Sequence, residues 1–264
     1  MQAPTESGSV MQDIIRKEIE RFTASRPSGR GTRTTWGKPL TGFADAGDPL
    51  FEHLRTVVRP THATPRELLD NAGTVVSYFI PFEEHTVRSN RKGYHASKEW
   101  AVAYVETNAL IIDLNQHLSE ALEHHGFQAV GPLPTHNFDK EQLMSDWSHK
   151  HVAYIAGLGK FGTHHLLITE KGCCGRFGSI ITDAVIPPTA RPDIEYCLDR
   201  AGIDCGQCLK RCPVGALEKE GFDRHRCHSL LQENARLYER EGIADVCGKC
   251  STMVPCSFRN PVRK

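Results

Sequence analysis

The sequence predicts a mixed α/β (α+β) fold in two parts, a layered core over residues 1–190 and a cysteine-rich metal module over residues 191–264. Two observations support this prediction. Helix-like and strand-like segments alternate through the first part, as they do where helices pack on a sheet. Eight of the ten cysteines lie between residues 197 and 256, in a segment with few core hydrophobic residues, so we expect bound metal to hold that part together.

The first half of the core contains one helix and one strand with clear patterns. Apolar residues recur at helical spacing over Met11–Ala24, which predicts an amphipathic helix. Arg26–Thr35 and Pro39–Pro49 are rich in Gly, Pro and polar residues and predict loops. Thr64-Pro65 predicts a helix start, with Thr as the cap and Pro in the first position. Gly73–Pro81 is β-branched and aromatic, which predicts a buried strand.

The second half of the core alternates in the same way. A long helix with an apolar stripe is predicted over Ser97–His125, where Gly126 ends it. The other predicted elements are a short strand over Phe127–Val130, a helix over Ser148–Ala156, strands over Leu166–Thr169 and Ser179–Val185, a tight turn over Lys171–Gly175 and a linker from Pro187.

The cysteine spacing predicts the chemistry of the second part. Cys205, Cys208 and Cys212-Pro213 form most of a bacterial ferredoxin run, in which two and then three residues separate the thiolates and a proline follows. Cys197 precedes this run. A looser set of cysteines follows the run and consists of Cys227, Cys247, Cys250 and Cys256. Eight thiolates in two sets of four predict two 4Fe–4S clusters and a protein that moves electrons.

Two alternatives use the same residues. Two zinc sites would also use CxxC pairs, here Cys205/Cys208 and Cys247/Cys250, but zinc does not require the CxxxCP continuation. A disulfide framework needs an oxidising compartment. Met1–Val10 is polar and lacks the apolar stretch of a signal peptide, so we expect the reducing cytoplasm.

The composition argues against two classes of partner. The 32 basic and 32 acidic residues give a formal net charge of zero, so no overall field attracts nucleic acid. No apolar run approaches the roughly 20 residues that span a bilayer. We expect neither a nucleic acid nor a membrane as partner, and the sequence leaves the oligomeric state open.

Three motifs resemble those of a known group of enzymes. Ala156–Gly162, Leu166–Thr169 and Gly178–Asp183 are similar to motifs of epoxyqueuosine reductases and corrinoid-dependent reductive dehalogenases, which place them before a double-cluster ferredoxin module. Arg226–Ser229 resembles the isolated cysteine region between their two runs. The resemblance covers residues 70–260 and implies a nitroreductase-like core that binds cobalamin, then a ferredoxin-like module with one cluster close to the corrin.

The resemblance also implies roles for single residues. Gly157, Gly159 and Gly162 would form backbone close to the cobalamin, where a Cβ would obstruct its approach. One cluster would be held by Cys197, Cys205, Cys208 and Cys256, and the other by Cys212, Cys227, Cys247 and Cys250.

The chain departs from those families at several positions. Gly202 stands where their first run has a cysteine, and five residues rather than three separate Cys250 from Cys256. Asp146 is out of register with the acidic proton donor of epoxyqueuosine reductases, and no helical-repeat segment follows the cysteines. We therefore expect a short relative that acts on a small substrate other than a base in tRNA, with electrons from a donor such as ferredoxin or flavodoxin.

Several side chains are candidates for the site. A proton donor is expected among Asp146, His149, His151, Tyr154 and Tyr94, although the segment around Ser148 also suits a plain helix start. His164 is expected beside the corrin, or as a cap of the following strand. No Asp-x-His-x-x-Gly stretch offers a lower cobalt ligand, which suits base-off cobalamin and also suits its absence.

The pair Cys173-Cys174 has two interpretations. A free cysteine is most often a small buried apolar residue. Alternatively, the turn lies near the cofactor, where Arg176 lowers the pKa of a thiol such as Cys173.

Three functions remain open from the sequence. The first is an iron–sulfur oxidoreductase that uses cobalamin for a reductive cleavage or deoxygenation. The second is a protein that reduces and passes on cobalamin, and the third is a plain electron carrier. The long first part with its glycine-lined loop favours the first two.

Overall fold

A four-stranded antiparallel sheet organises the first part of the chain. Its strand order is β1 (Leu40–Asp45), β2 (Thr74–Pro81), β6 (Gly175–Thr182) and β3 (Ala129–Val130). The computed structural model describes residues 6–133 and 137–263. Every residue of β2 is buried, because β2 pairs with β1 on one side and with β6 on the other. The central buried strand predicted from Gly73–Pro81 is confirmed.

Eight helices and a two-stranded hairpin complete the described structure. The hairpin pairs β4 (Gly159–Phe161) with β5 (Leu167–Thr169). The helices are α1 (Glu6–Arg30), α2 (Leu50–Val57), α3 (Pro65–Leu68), α4 (Glu84–Ser89), α5 (Lys98–His124), α6 (His149–Ile155), α7 (Gln207–Arg211) and α8 (Arg224–Leu237), and a single 3₁₀ turn spans Glu239–Glu241. No helix among the described residues has the length and apolar character needed to cross a bilayer.

The sheet lies between two layers of helices. Successive side chains of β2 point to opposite faces of the sheet. Val76, Tyr78 and Ile80 contact the apolar faces of α1 and α5, whereas Val75 packs with Trp147 and the residues of α2 and α6. Each fully buried aliphatic side chain contributes roughly 1.5–3 kcal/mol to the free energy of folding. The predicted layered core is therefore present as a mixed α/β structure with an antiparallel sheet.

Most predicted elements are confirmed, and three boundaries are wrong. The loop predicted over Pro39–Pro49 contains β1, whose Gly and Asp residues are held in strand geometry by pairing with β2. Helix α1 continues to Arg30 into the segment predicted as a loop. The strand predicted over Ser179–Val185 begins earlier, at Gly175, because it pairs with the whole length of β2.

The cysteine-rich part packs directly on the core. The Asn90 amide donates a hydrogen bond to the carbonyl oxygen of Cys247 (2.8 Å), and the Asn234 amide donates one to the carbonyl oxygen of Val246 (2.8 Å). The Ala96 N–H in turn donates to the Asn234 side chain. Buried side chains thus fix the loop of the second cysteine set to the α4–α5 region. The division of the chain near residue 190 stays a prediction.

Candidate metal centre

Four cysteines converge on one small cavity, and we call them the first group. They line the cavity together with Thr163 and His164, and they are Cys197, Cys205, Cys208 and Cys256. Burial, together with the nearby thiols of Cys256, Cys197 and Cys205, raises the pKa of Cys208 to about 11. A thiol with so high a pKa stays protonated near pH 7 unless a cation compensates its charge, which is what an iron cluster supplies.

Four other cysteines form a second group, which consists of Cys212, Cys227, Cys247 and Cys250. Burial, together with the Cys247 and Cys212 thiols, raises the pKa of Cys227 to about 11. The pKa of Cys250 is raised well above its ordinary value by burial and by the other three members of its group. Cys208 of the first group also contributes to that shift, so the two groups adjoin.

The resemblance assigns the same cysteines to two ligand sets, and that assignment stays a prediction. All ten cysteines are free thiols, which argues against a disulfide framework. The role of the eight as cluster ligands stays a prediction.

The turn between β4 and β5 contacts two members of the first group. The Gly162 N–H donates a hydrogen bond to the Leu166 carbonyl oxygen (2.9 Å) and closes the turn. Thr163 Oγ1 lies 3.6 Å from Cys197 Sγ and donates to the Asp199 carboxylate (2.7 Å). His164 Nε2 lies 3.4 Å from Cys256 Sγ. His164, which we expected beside a corrin or as a strand cap, accepts the Leu166 N–H just before β5 through Nδ1 (3.1 Å) and faces Cys256 of the first group through Nε2.

The Cys173-Cys174 turn reaches the same place. Cys173 Sγ lies 4.0 Å from Cys256 Sγ, and Cys174 Sγ donates to the Ser251 carbonyl oxygen (3.2 Å). His164, Cys173 and Cys256 form a buried trio whose ligand atoms lie within 4.8 Å of one another. Hydrogen bonds from Cys173 and His164 lower the pKa of Cys256 to about 5.

Arg176 does not have the effect on Cys173 that we expected. The Cys174 and Cys256 thiols, together with burial, raise the pKa of Cys173. The Arg176 guanidinium instead stacks over the ring of Tyr104 on α5, 4.2 Å from its centroid. The physical reason is that burial and neighbouring thiols disfavour a thiolate at Cys173.

The three glycines of the Ala156–Gly162 segment have close neighbours within the chain itself. A Cβ on Gly157 would lie 2.8 Å from the Ala190 carbonyl oxygen, and one on Gly159 would overlap the Ile168 carbonyl. A Cβ on Gly162 would lie 2.8 Å from the ring of His164. Packing within the protein is a sufficient reason for glycine at all three positions, and their contact with a cofactor stays a prediction.

Three of the expected proton donors contact other side chains of the core. Asp146 accepts a hydrogen bond from Thr61 Oγ1 (2.6 Å) and forms an ion pair with Arg59 (3.2 Å). His149 is buried, with Nδ1 2.9 Å from Ser179 Oγ. Tyr154 packs against the ring of Phe161.

The remaining two candidates are His151 and Tyr94, and the ring of His151, like that of Tyr154, packs against Phe161. Burial lowers the pKa of His151 to about 3, so this ring is neutral near pH 7. Tyr94 is exposed and packs edge-on against the neighbouring ring of His95.

Sequence reasoning missed two lysines near the second group. Lys150 Nζ donates to the His165 carbonyl oxygen (3.1 Å), and burial lowers its pKa to about 8, while Cys227 and Cys250 raise it. Lys249 is buried, and in the sequence it lies between Cys247 and Cys250 of the second group. No local pattern marks either residue, because a single lysine beside polar neighbours is typical of an exposed surface.

A cavity of about 370 Å³ lies beside the first group. Thr163 lines both this cavity and the thiol cavity. Its other lining residues have charges of both signs and include Asp199, Arg200, Lys219 and Glu220. No local sequence pattern identifies this cavity, since its residues come from three separate segments.

Comparison with solved structures places this fold among known enzymes. The epoxyqueuosine reductase of Streptococcus thermophilus superposes with a TM-score of 0.60 at 18% identity, over 91% of this chain and 64% of that chain. The chain has the fold of the epoxyqueuosine reductases. A structure of epoxyqueuosine reductase with an epoxyqueuosine-modified tRNA stem loop superposes with a TM-score of 0.56 at 18% identity, over 97% and 66% of the two chains.

A reductive dehalogenase shares the same fold. The catabolic reductive dehalogenase NpRdhA superposes with a TM-score of 0.55 at 15% identity, over 96% of this chain and 37% of that chain. This chain therefore spans less than two thirds of the Streptococcus thermophilus reductase and just over a third of the dehalogenase. No protein-family model matches the chain, and no curated protein sequence matches it.

Proposed function

We propose that this protein is an iron–sulfur oxidoreductase that passes low-potential electrons through two 4Fe–4S clusters and uses them to reduce a small substrate. The observation that carries the proposal is the gathering of eight free thiols into two adjoining groups of four. The proposal includes a nitroreductase-like core and a ferredoxin-like module that follows it. The fold shared with epoxyqueuosine reductases and a reductive dehalogenase supports both parts.

The donor chemistry of both groups fits a cluster. Thiolates are the usual ligands of 4Fe–4S clusters, with four for each cluster. Two residues separate Cys205, just before α7, from Cys208 in its first turn, so one turn supplies two ligands, and Cys212 at the end of α7 belongs to the other group. A helix shared between the two groups holds them at a fixed separation, as electron transfer between two clusters requires.

The protein residues around the first group exclude water and fix the ligands. Cys197, Cys208 and Cys256 are buried, and Val254 and Tyr196 belong to the same buried cluster as Cys197 and Cys256. Low solvent exposure and hydrogen bonds to sulfur are two means by which a protein sets a cluster potential. We infer that this shell tunes the cluster for its electron donor, for which ferredoxin or flavodoxin is the expected class.

The fit to cobalamin is weaker. The space beside Gly157, Gly159 and Gly162 is occupied by the chain itself, so these glycines form no open cradle for a corrin. The resemblance remains the reason to test for one, and a corrin-handling role and a plain electron carrier are the competing outcomes.

The first experiment is an anaerobic preparation in which iron, acid-labile sulfide and zinc are counted. We expect about eight irons and eight sulfides per chain. The Cys205→Ala and Cys250→Ala variants should each retain about four irons, and the matched variant Cys174→Ala, which changes a buried thiol outside both groups, should retain about eight. Two zinc ions without sulfide would contradict the proposal.

The second experiment adds cobalamin to the iron-loaded protein and follows the corrin absorption bands. A shift to the base-off form would support a corrinoid reductase. About eight irons with no corrin response would favour the electron carrier. Because one neighbour is described with a tRNA stem loop, binding of a tRNA stem loop should be measured beside the small-molecule screen. We expect no tRNA binding.

A further inference from the structure

Two donor groups converge on the sulfur of Cys256. His164 Nε2 lies 3.4 Å from Cys256 Sγ, and Cys173 Sγ lies 4.0 Å from it. We propose that His164 and Cys173 are positioning residues that raise the reduction potential of the first-group cluster by donating hydrogen bonds to this ligand sulfur. The inference rests on the two clusters of the proposed function.

The tautomer of His164 is fixed by its other nitrogen. The Leu166 N–H donates a hydrogen bond to His164 Nδ1 (3.1 Å), so Nδ1 accepts and holds no proton in the neutral ring. The proton of a neutral imidazole must then be on Nε2, the atom that faces Cys256. Because the same turn closes through Gly162 and Leu166, the ring has little freedom to turn away.

The place of Cys173 is fixed by main-chain pairing. The Cys173 N–H donates to the Cys256 carbonyl oxygen (3.0 Å), and the Cys174 N–H donates to the Ser257 carbonyl oxygen (3.3 Å). Gly172, with φ of 79°, brings the two segments so close that any Cβ there would overlap Ser257. This main-chain pairing therefore brings the thiols of Cys173 and Cys256 together. A buried neutral thiol acts as a weak S–H donor.

Hydrogen bonds to a ligand sulfur favour the reduced cluster. An added electron increases the negative charge on the cluster and its sulfurs, so a donor stabilises the reduced state more than the oxidised state. Removing a donor should therefore lower the potential. His164 and Cys173 both act on Cys256, so the effect should be confined to the first group.

The test is an anaerobic redox titration of the reconstituted protein, followed by electron paramagnetic resonance. His164→Leu and Cys173→Ala remove the donors, whereas His164→Gln and Cys173→Ser keep an N–H or O–H near the same sulfur. We expect each removal to lower the midpoint potential of one of the two one-electron steps by up to about 59 mV. At a fixed applied potential, a shift of that size is a tenfold change in the ratio of reduced to oxidised cluster. The midpoint potential of the other step should not change, and the conservative variants should restore the potential of the first step.

A matched control separates this effect from general disturbance. His165→Asn changes the next residue of the turn, whose φ of 58° asparagine tolerates. This variant should not move either potential. An unchanged potential in both donor-free variants with full iron content would overturn the inference and leave the clusters intact. Loss of about four irons in Cys173→Ala would also overturn it, since Cys173 would then be a ligand.

Discussion

Lys249 donates a hydrogen bond from its buried ammonium group to the carbonyl oxygen of Asn90, 3.0 Å away. A second hydrogen bond goes from the same group to the Lys92 carbonyl oxygen (2.6 Å). The Asn90 side chain in turn donates a hydrogen bond to the Cys247 carbonyl oxygen. The chain between the two cysteines of the second CxxC pair is thereby anchored to the segment that follows α4.

The anchor predicts a loss of stability in Lys249→Met. The substitution keeps the length of the side chain but leaves two carbonyl oxygens without their donor, and an unsatisfied buried group costs about 1–3 kcal/mol. We expect a lower Tm and faster release of iron to a chelator, with about half of the iron released first. The exposed Lys210, changed to Met, should alter neither quantity. Equal behaviour of the two variants would show that the anchor is unimportant.

Two glycines at equivalent places provide a matched pair of variants. Gly206 and Gly248 each follow the first cysteine of a CxxC pair, and both have positive φ, 55° and 69°. A Cβ on Gly206 meets nothing within 4 Å, whereas a Cβ on Gly248 would overlap the indole of Trp100 on α5. The second loop thus requires glycine for its conformation and also for its contact with the core.

The pair predicts unequal effects of the same substitution. Gly206→Ala should cost about 1–2 kcal/mol, the strain of a left-handed residue that is not glycine. Gly248→Ala should cost clearly more, and it should reduce the iron content because the second loop must move away from Trp100. Tm and iron counts measure both. If Gly206→Ala were the more damaging change, the loop would not depend on its contact with α5.

The sequence predicted what depends on local pattern and missed what depends on pairing. The period of α5 and the apolar run of β2 were sufficient to place both elements. β1 was missed because Leu40–Asp45 is a strand only through its partner β2. In the site, spacing identified the cysteines, whereas Thr163 and Lys249 have roles that arise from contacts between segments far apart in the chain.

Asp146 provides a test that distinguishes a structural role from a catalytic one. Its carboxylate pairs with Arg59, and both side chains are mostly buried, at 16% and 12% exposure. Asp146→Asn should lower the free energy of unfolding by about 1.5–3 kcal/mol, the usual size of a hydrogen bond between charged groups.

A double-mutant cycle identifies the cause of that loss. If the ion pair is responsible, adding Arg59→Met to Asp146→Asn should cost less than Arg59→Met alone. The exposed Asp70, changed to Asn, should have little effect. An unchanged Tm in Asp146→Asn would contradict the structural role and return Asp146 to the list of proton donors.

His62 predicts the direction of the response to acid. Its Nδ1 donates to the Ala63 carbonyl oxygen (2.9 Å), and its Nε2 accepts from the Ser148 N–H (3.1 Å), so the ring bridges two segments only while it is neutral. Burial lowers the pKa of His62 below the usual value of about 6.5. The unfolded chain therefore binds a proton that the folded chain does not bind, and acid favours unfolding.

The stability that His62 contributes should be complete above about pH 6.5 and should decrease as the pH falls below that value. His62→Gln can still accept from the Ser148 N–H but does not titrate, so its Tm should fall less between about pH 7.5 and about pH 5.5 than that of the unchanged protein. His124→Gln, at an exposed position on α5, should keep the full decrease. Cluster absorbance recorded in the same samples shows whether iron is retained at each pH. A decrease of the same size in His62→Gln, with iron retained, would assign the acid sensitivity to other groups.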